Sequence, residues 1–194
     1  MKVDVKDEIL AMELKNGDIR ALGDLYTRYG GSVRTALRRF VPEMAAADAD
    51  EICQEVFLTL NDTIGRYQEQ QKLKAWIFGI ALRKAKTWRR NTWLRRKLLN
   101  RRSEESRDIE SEIVPSAART LELRQEVEFA LSRMSDKQRE VVLLYSLEGF
   151  TCEEAAEILN VDIHVIWSRL HRARQAVSKP RKLPAAERVV QGEL

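Results

Sequence analysis

Apolar residues recur along this chain at helical spacing while strand-type alternation is nearly absent, which restricts the fold to packed helices. Ile9, Met12 and Leu14, and then Ala21, Leu22, Leu25 and Tyr29, follow that spacing. The pattern fails over one long stretch. From Asn100 to Ala118 the chain reads NRRSEESRDIESEIVPSAA, a dense mixture of both charges with a proline near its end. Such a composition buries too little apolar surface to pack. The chain has 194 residues, 44% of them apolar, enough for one medium core or two small ones, and the break favours two. The expectation is an all-α protein of two small helical domains, residues 1–100 and 119–178, joined by a flexible linker over 101–118. Residues 179–194 form a tail too short for a further domain.

Gly17-Asp18 ends the first helical segment, and GGS at Gly30–Ser32 is expected to loosen or kink the second. VPEMAAADAD then supplies a turn and an acidic start for a helix from about Asp48 to Leu60, and a long helix follows over about Lys72–Leu99. Beyond the break, Leu121, Val127, Leu131 and Met134 mark another helix. Two capping boxes come next, Ser135 with Gln138 and Thr151 with Glu154, separated by a stop at Gly149. From Thr151 the spacing predicts a helix to Leu159, a turn at Asn160-Val161, and a second helix capped by Asp162 and reaching Val177. This is the length of a helix-turn-helix.

On that second helix Ile166, Leu170, Ala173 and Val177 form the apolar stripe. His164, Ser168, His171, Arg172 and Gln175 fall on the other side, with Trp167 and Arg169 on the flanks and Arg174 nearby. The face is built of hydrogen-bonding groups and cations, as reading a DNA major groove requires. The same residues also suit a solvated face, and Trp167 also suits packing beside Ile163 and Ile166.

Two earlier segments carry opposite charge. The helix that begins near Asp48 offers Asp48, Asp50, Glu51, Gln54 and Glu55, with Ile52, Val56 and Phe57 available for its inner side. Carboxylates in the first turn suit the helix dipole, and their number fits a basic protein partner better than DNA. Residues 83–102 hold ten cations and no acid: Arg83, Lys84, Lys86, Arg89, Arg90, Arg95, Arg96, Lys97, Arg101 and Arg102, interrupted by Trp88 and Trp93. Cations neutralise phosphates and aromatic rings stack on unpaired bases, so this mixture suits a DNA strand being opened. Trp76 reads mainly as core, and Tyr67 as a loop aromatic able to stack on a base.

Cys53 and Cys152 show no CxxC or Cys/His spacing, so neither a disulfide framework nor a zinc site is expected, and no cofactor is. The longest apolar run, AWIFGIAL from Ala75, is too short to span a bilayer. A cytoplasmic protein without direct membrane insertion is expected. No paired carboxylates, Ser/His/Asp set or phosphate-binding glycine loop points to an enzyme.

The run RMSDKQREVVLLYSLEGFTCEEAAEILNVDIHVIWSRLHRAR resembles region 4 of the extracytoplasmic-function sigma factors of bacteria. NGDIRALGDLYTRYG resembles the opening of region 2 in the same family, DADEICQEVFLTL its core-polymerase-binding helix, and KLKAWIFGIALRKAKTWRR the helix that melts and reads the promoter −10 element. The likeness covers nearly all of residues 8–178. It implies a protein that binds core RNA polymerase and directs promoter-specific transcription initiation. Asp48, Asp50, Glu51, Gln54, Glu55 and Phe57 would then contact polymerase, and Tyr67, Arg83, Lys84, Lys86, Trp88, Arg89 and Arg90 the −10 DNA. The −35 contacts would fall to His164, Trp167, Ser168, Arg169, His171, Arg172 and Arg174. It also implies an anti-sigma factor as a partner. The chain departs from the family at His164–Trp167, where Gly-Thr-Val-Lys is usual, and at Arg83, where Asn is common. A free-standing helix-turn-helix regulator of a palindromic operator is the main rival, but it leaves the acidic helix and the cationic helix without a task.

Overall fold

The structure, a computed structural model, describes residues 5–68, 72–99 and 118–178. The linker and tail expected from the sequence lie outside them apart from the start of the fifth helix. Eight α-helices follow one another among the described residues: α1 (Val5–Lys15), α2 (Ile19–Phe40), α3 (Ala46–Thr63), α4 (Leu73–Leu99), α5 (Ala118–Ser132), α6 (Asp136–Val142), α7 (Cys152–Leu159) and α8 (Ile163–Ser178). A 3₁₀ turn at Ile64–Arg66 follows α3, and α6 runs on into a π turn at Leu143–Leu147. No described helix is long and apolar enough to cross a membrane.

Local chemistry sets the breaks. Gly17, at φ +91°, stops α1, and the Asp18 carboxylate caps α2 by accepting the Arg20 N–H at 3.0 Å. The Arg20 guanidinium returns to the same carboxylate at 2.8 Å and, by hydrogen-bonding its ionised form, lowers the pKa of Asp18 below its ordinary value. Gly149, at φ +74°, ends the π turn before Thr151 opens α7.

Two expectations need correction, those for the inner face of α1 and for Val177. The glycine pair at Gly30-Gly31 leaves α2 helical without interruption from Ile19 to Phe40. Tyr29 and Val33 on either side are buried, and tertiary burial outweighs the intrinsic cost of glycine. The thiol of Cys53 on α3 donates to the Gly30 carbonyl at 3.6 Å, and burial raises that thiol above its ordinary value. On α1, Ile9 and Met12 point outward, and the inner stripe is Asp7, Leu10, Ala11 and Leu14. Asp7 is buried because it accepts the Tyr29 hydroxyl and pairs with the Arg28 guanidinium at 3.1 Å. A carboxylate in the buried stripe hides the true face from an apolar pattern. Val177, finally, is exposed: α8 packs on both α6 and α7, its buried stripe ends at Ala173, and Val177 lies a full turn beyond.

The first helical group closes around Leu25, Val33, Leu37, Val56, Leu60 and Ile77, the second around Val141, Leu144, Ala155 and Ile166. The two cores meet where Phe78 of α4 and Phe150 stack edge to face with centroids 5.3 Å apart.

Candidate nucleic-acid and partner interfaces

The periodicity of α3 separates its two faces. Ala49, Ile52, Cys53, Val56, Phe57 and Leu60 are buried, while Asp50, Glu51, Gln54 and Glu55 are exposed and Asp48 is half-buried. Phe57 therefore lies on the inner side that the residue pattern gave it and not on the partner face that the resemblance implied. It lies in the core, edge-on to Tyr26 at 5.0 Å. Its neighbour Leu58 takes the outward position instead, 61% exposed, one turn beyond Gln54 and two beyond Glu51. That helical offset was the signal by which the sequence could have found it. Asp50 pairs loosely with Arg34 at 3.5 Å, and Glu55 more closely with Lys84 at 2.9 Å.

The α4 cations do not share one environment. Arg83 and Arg90 are exposed and, among the described residues, have no carboxylate partner. Lys84 is held by Glu55. Lys86 meets Glu140 at 3.1 Å and Arg89 meets Asp136 at 2.6 Å, both acids belonging to α6. Trp88 packs half-buried against the core, whereas Trp93 stands 57% exposed with the Lys97 ammonium 4.9 Å from its ring centroid. Tyr67 lies in the loop before α4 as expected, just after the 3₁₀ turn, but its side chain is buried, edge-on to Trp76 at 6.0 Å, and not open for stacking on a base. Its hydroxyl donates to Glu8 at 2.7 Å, and its carbonyl accepts from Lys15 at 3.4 Å, so α1 covers it.

Both expected capping boxes open helices of the second group, Ser135 that of α6 and Thr151 that of α7, the first helix of the helix-turn-helix. At α7 the Thr151 hydroxyl accepts the Glu154 N–H at 3.2 Å while the Glu154 carboxylate accepts the Thr151 N–H at 2.7 Å. Asn160 ends α7 in the left-handed region at φ 51°, a conformation that Asn tolerates, and Val161 N–H donates back to the Ala156 carbonyl at 3.0 Å. Asp162 then opens α8 by accepting the His164 N–H at 2.8 Å.

On α8 Ile166, Leu170 and Ala173 are buried; His164, Trp167, Ser168, His171, Arg172 and Arg174 are exposed, and Arg169 is half-buried. The His164 and Trp167 rings meet edge to face at 5.0 Å, and His171 Nε2 lies 3.0 Å from Gln175 Nε2. Trp167 thus leans on a histidine rather than on the core. The result is a row of donors, acceptors, cations and three rings, those of His164, Trp167 and His171, on a capped helix.

Comparison with known proteins bears on both groups. The family description "Sigma-70 region 2" matches residues 25–95, and "Sigma-70, region 4" matches residues 124–177. The RNA polymerase sigma factor NccH of Alcaligenes xylosoxydans xylosoxydans is 31% identical over 172 residues, covering 87% of this chain and 90% of the relative. This chain belongs to the extracytoplasmic-function sigma factors. The ECF RNA polymerase sigma-E factor of Escherichia coli strain K12 is 26% identical, over 91% of this chain and 95% of its own. Among solved structures, CnrH in complex with the cytosolic domain of CnrY superposes with a TM-score of 0.64 at 26% identity, covering 89% of this chain and 95% of that one. The sigma factor RpoE of Bartonella quintana, solved with the anti-sigma factor NepR, shares the fold at a TM-score of 0.65 and 22% identity, over 81% of this chain and 94% of its own. Sigma factors of this family are regulatory DNA-binding proteins that direct RNA polymerase to promoters, and the free-standing regulator is not favoured.

Proposed function

We propose that the three surfaces divide the work of a sigma factor among them. The exposed edge of α3, with Asp48, Asp50, Glu51, Gln54, Glu55 and Leu58, binds a basic surface of core polymerase. The cationic length of α4 takes the −10 element: Arg83 and Arg90 contact strand phosphates, joined by Lys86 and Arg89 once they leave their acids, and Trp93 offers a ring for stacking. The outward row of α8 reads the −35 element. Arg172 and Ser168 approach base edges, and Arg169 and Arg174 face phosphates. The observation that carries this reading is α8 itself, whose buried stripe stops at Ile166, Leu170 and Ala173 and leaves His164, Ser168, His171, Arg172, Arg174 and Gln175 exposed.

The protein acts by binding and carries out no reaction of its own. It works beside polymerase in the cytoplasm, with residues 1–100 and 119–178 as the two sigma domains, 101–118 as linker and 179–194 as tail. The solved relatives CnrH and RpoE are each bound to a second protein, named in the latter case as an anti-sigma factor, which supports a regulator of that class for this chain. Run-off transcription with purified core enzyme on genomic DNA fragments tests the reading: discrete promoter-dependent transcripts are expected. A failure to change the transcripts made by core enzyme alone would reject it.

A further inference from the structure

The chemistry of α8 changes along its length. Its arginines, Arg169, Arg172 and Arg174, all come after Ser168, whereas residues 161–168, VDIHVIWS, hold no cation and one acid. That acid is Asp162, whose carboxylate accepts the His164 N–H at 2.8 Å and sets a negative charge at the helix end where a phosphate would otherwise bind. In helix-turn-helix proteins the N-terminal part of the recognition helix meets the base edges. Here that part has neither the guanidinium that pairs with guanine nor the carboxamide that pairs with adenine.

What it offers instead is a ring. Trp167 is 50% exposed, although an indole is among the largest apolar surfaces a core can take up. By helical period it leaves α8 on a flank, and it is drawn toward the outward row by His164, one turn earlier: the two rings meet edge to face with centroids 5.0 Å apart and planes at 83°. The apolar group that a major groove presents is the C5-methyl of thymine. We propose that Trp167, held by His164, reads a thymine of the −35 element through that methyl. The element then has two unlike parts, an A·T pair read by apolar contact near the start of α8 and a pair read by Arg172 further along. Trp167 and Arg172 stand about 7.5 Å apart along the helix axis, against roughly 3.4 Å per base pair, so they address different pairs. Trp167 makes the base contact and His164 is its positioning residue. The inference rests on the reading of α8 as the −35 helix.

The test uses holoenzyme reconstituted from the full chain and core polymerase, on a promoter fragment recovered by run-off transcription. Each −35 thymine is replaced in turn by deoxyuridine, which removes only the methyl. At one thymine the wild type is expected to lose about fourfold in affinity, the factor carried by burying one methyl group. W167A should bind the thymine and deoxyuridine fragments alike. W167F, which keeps a ring and guards against a folding defect in W167A, should retain about twofold of the difference. H164A should reduce the difference, and H164F, which preserves the edge-to-face contact, should restore it. With 5-methylcytosine at the same position, wild type should gain over cytosine and W167A should not. No deoxyuridine effect in wild type, or an equal effect in W167A and W167F, would overturn the methyl contact; the reading of α8 would still stand if other −35 base changes weaken binding. H164F behaving as H164A would overturn the positioning role. Indifference of wild type to every −35 base change would reject the α8 reading itself.

Discussion

Lys72, the residue just before α4, donates to Glu154, which closes the capping box of the helix-turn-helix. One carboxylate therefore serves two structures. Its second oxygen holds the Thr151 N–H at 2.7 Å, so the N-terminus of α7 and the start of α4 are joined through a single side chain. Glu154→Ala should cost about 2 kcal/mol, since it removes the returning half of the box and strands an ammonium. Lys72→Met should cost less than about 1 kcal/mol, because only a partly exposed pair is lost. Urea denaturation of both variants checks the order; a larger loss for Lys72→Met would contradict it.

Replacing Asp48, Asp50 and Glu51 with Lys should abolish association with core polymerase while shifting stability by no more than about 0.5 kcal/mol at each exposed site. Pull-down with core enzyme, alongside thermal melts, measures both. Undiminished capture would remove the partner assignment of α3.

Phe57 and Leu58 should separate by their effects. Phe57→Ala opens a cavity beside Tyr26 and should cost about 3–5 kcal/mol. Leu58→Ala, at a residue 61% exposed, should leave stability nearly unchanged and weaken polymerase binding. If Leu58→Ala binds core enzyme normally, the apolar contact proposed for α3 is absent.

Arg172→Ala should cost about 1–3 kcal/mol at the base pair it reads and relax the preference there. Arg174→Ala should weaken all sequences alike and flatten the salt dependence. Binding of reconstituted holoenzyme to single-base −35 variants at two salt concentrations distinguishes them. Uniform losses for both would reduce Arg172 to a phosphate contact and leave His164, Trp167 or His171 to read the bases.

Burial raises the Glu148 carboxyl above the ordinary carboxylate range, and the Lys74 ammonium lowers it only in part. The folded chain then holds this proton more tightly than the unfolded one. Ionised Glu148 therefore opposes folding at neutral pH, and its contribution to stability improves as pH falls from the raised value to the ordinary one. Glu148→Gln should remove this component and change the slope of urea midpoint against pH across that window. An identical slope in the variant would assign the dependence to other groups.

Much of the architecture is written in interactions between residues three or four apart. The capping boxes at Ser135 and Thr151, the Asn160 turn and the Asp162 cap of α8 all need only their near neighbours, and each stands where the spacing of residue types placed it. The outward row of α8 follows likewise from helical period. The acidic edge of α3 was legible for the same reason, and so was the inner place of Phe57; the polymerase contact that the resemblance implied for Phe57 is the part that fails, since helical offset turns Leu58 outward and Phe57 inward.

Other properties depend on partners far along the chain. Asp7 is a core residue only because Tyr29 and Arg28 reach it, and Tyr67 is buried only because α1 brings Glu8 over it. Lys86 and Arg89 read as free cations for DNA until α6, some fifty residues later, sets Glu140 and Asp136 against them. Helix period and capping act within a few residues and survive in any context, so composition and spacing reveal them. The environment of a charge is set by whichever side chains the fold brings within a few ångströms, and no periodicity records that choice.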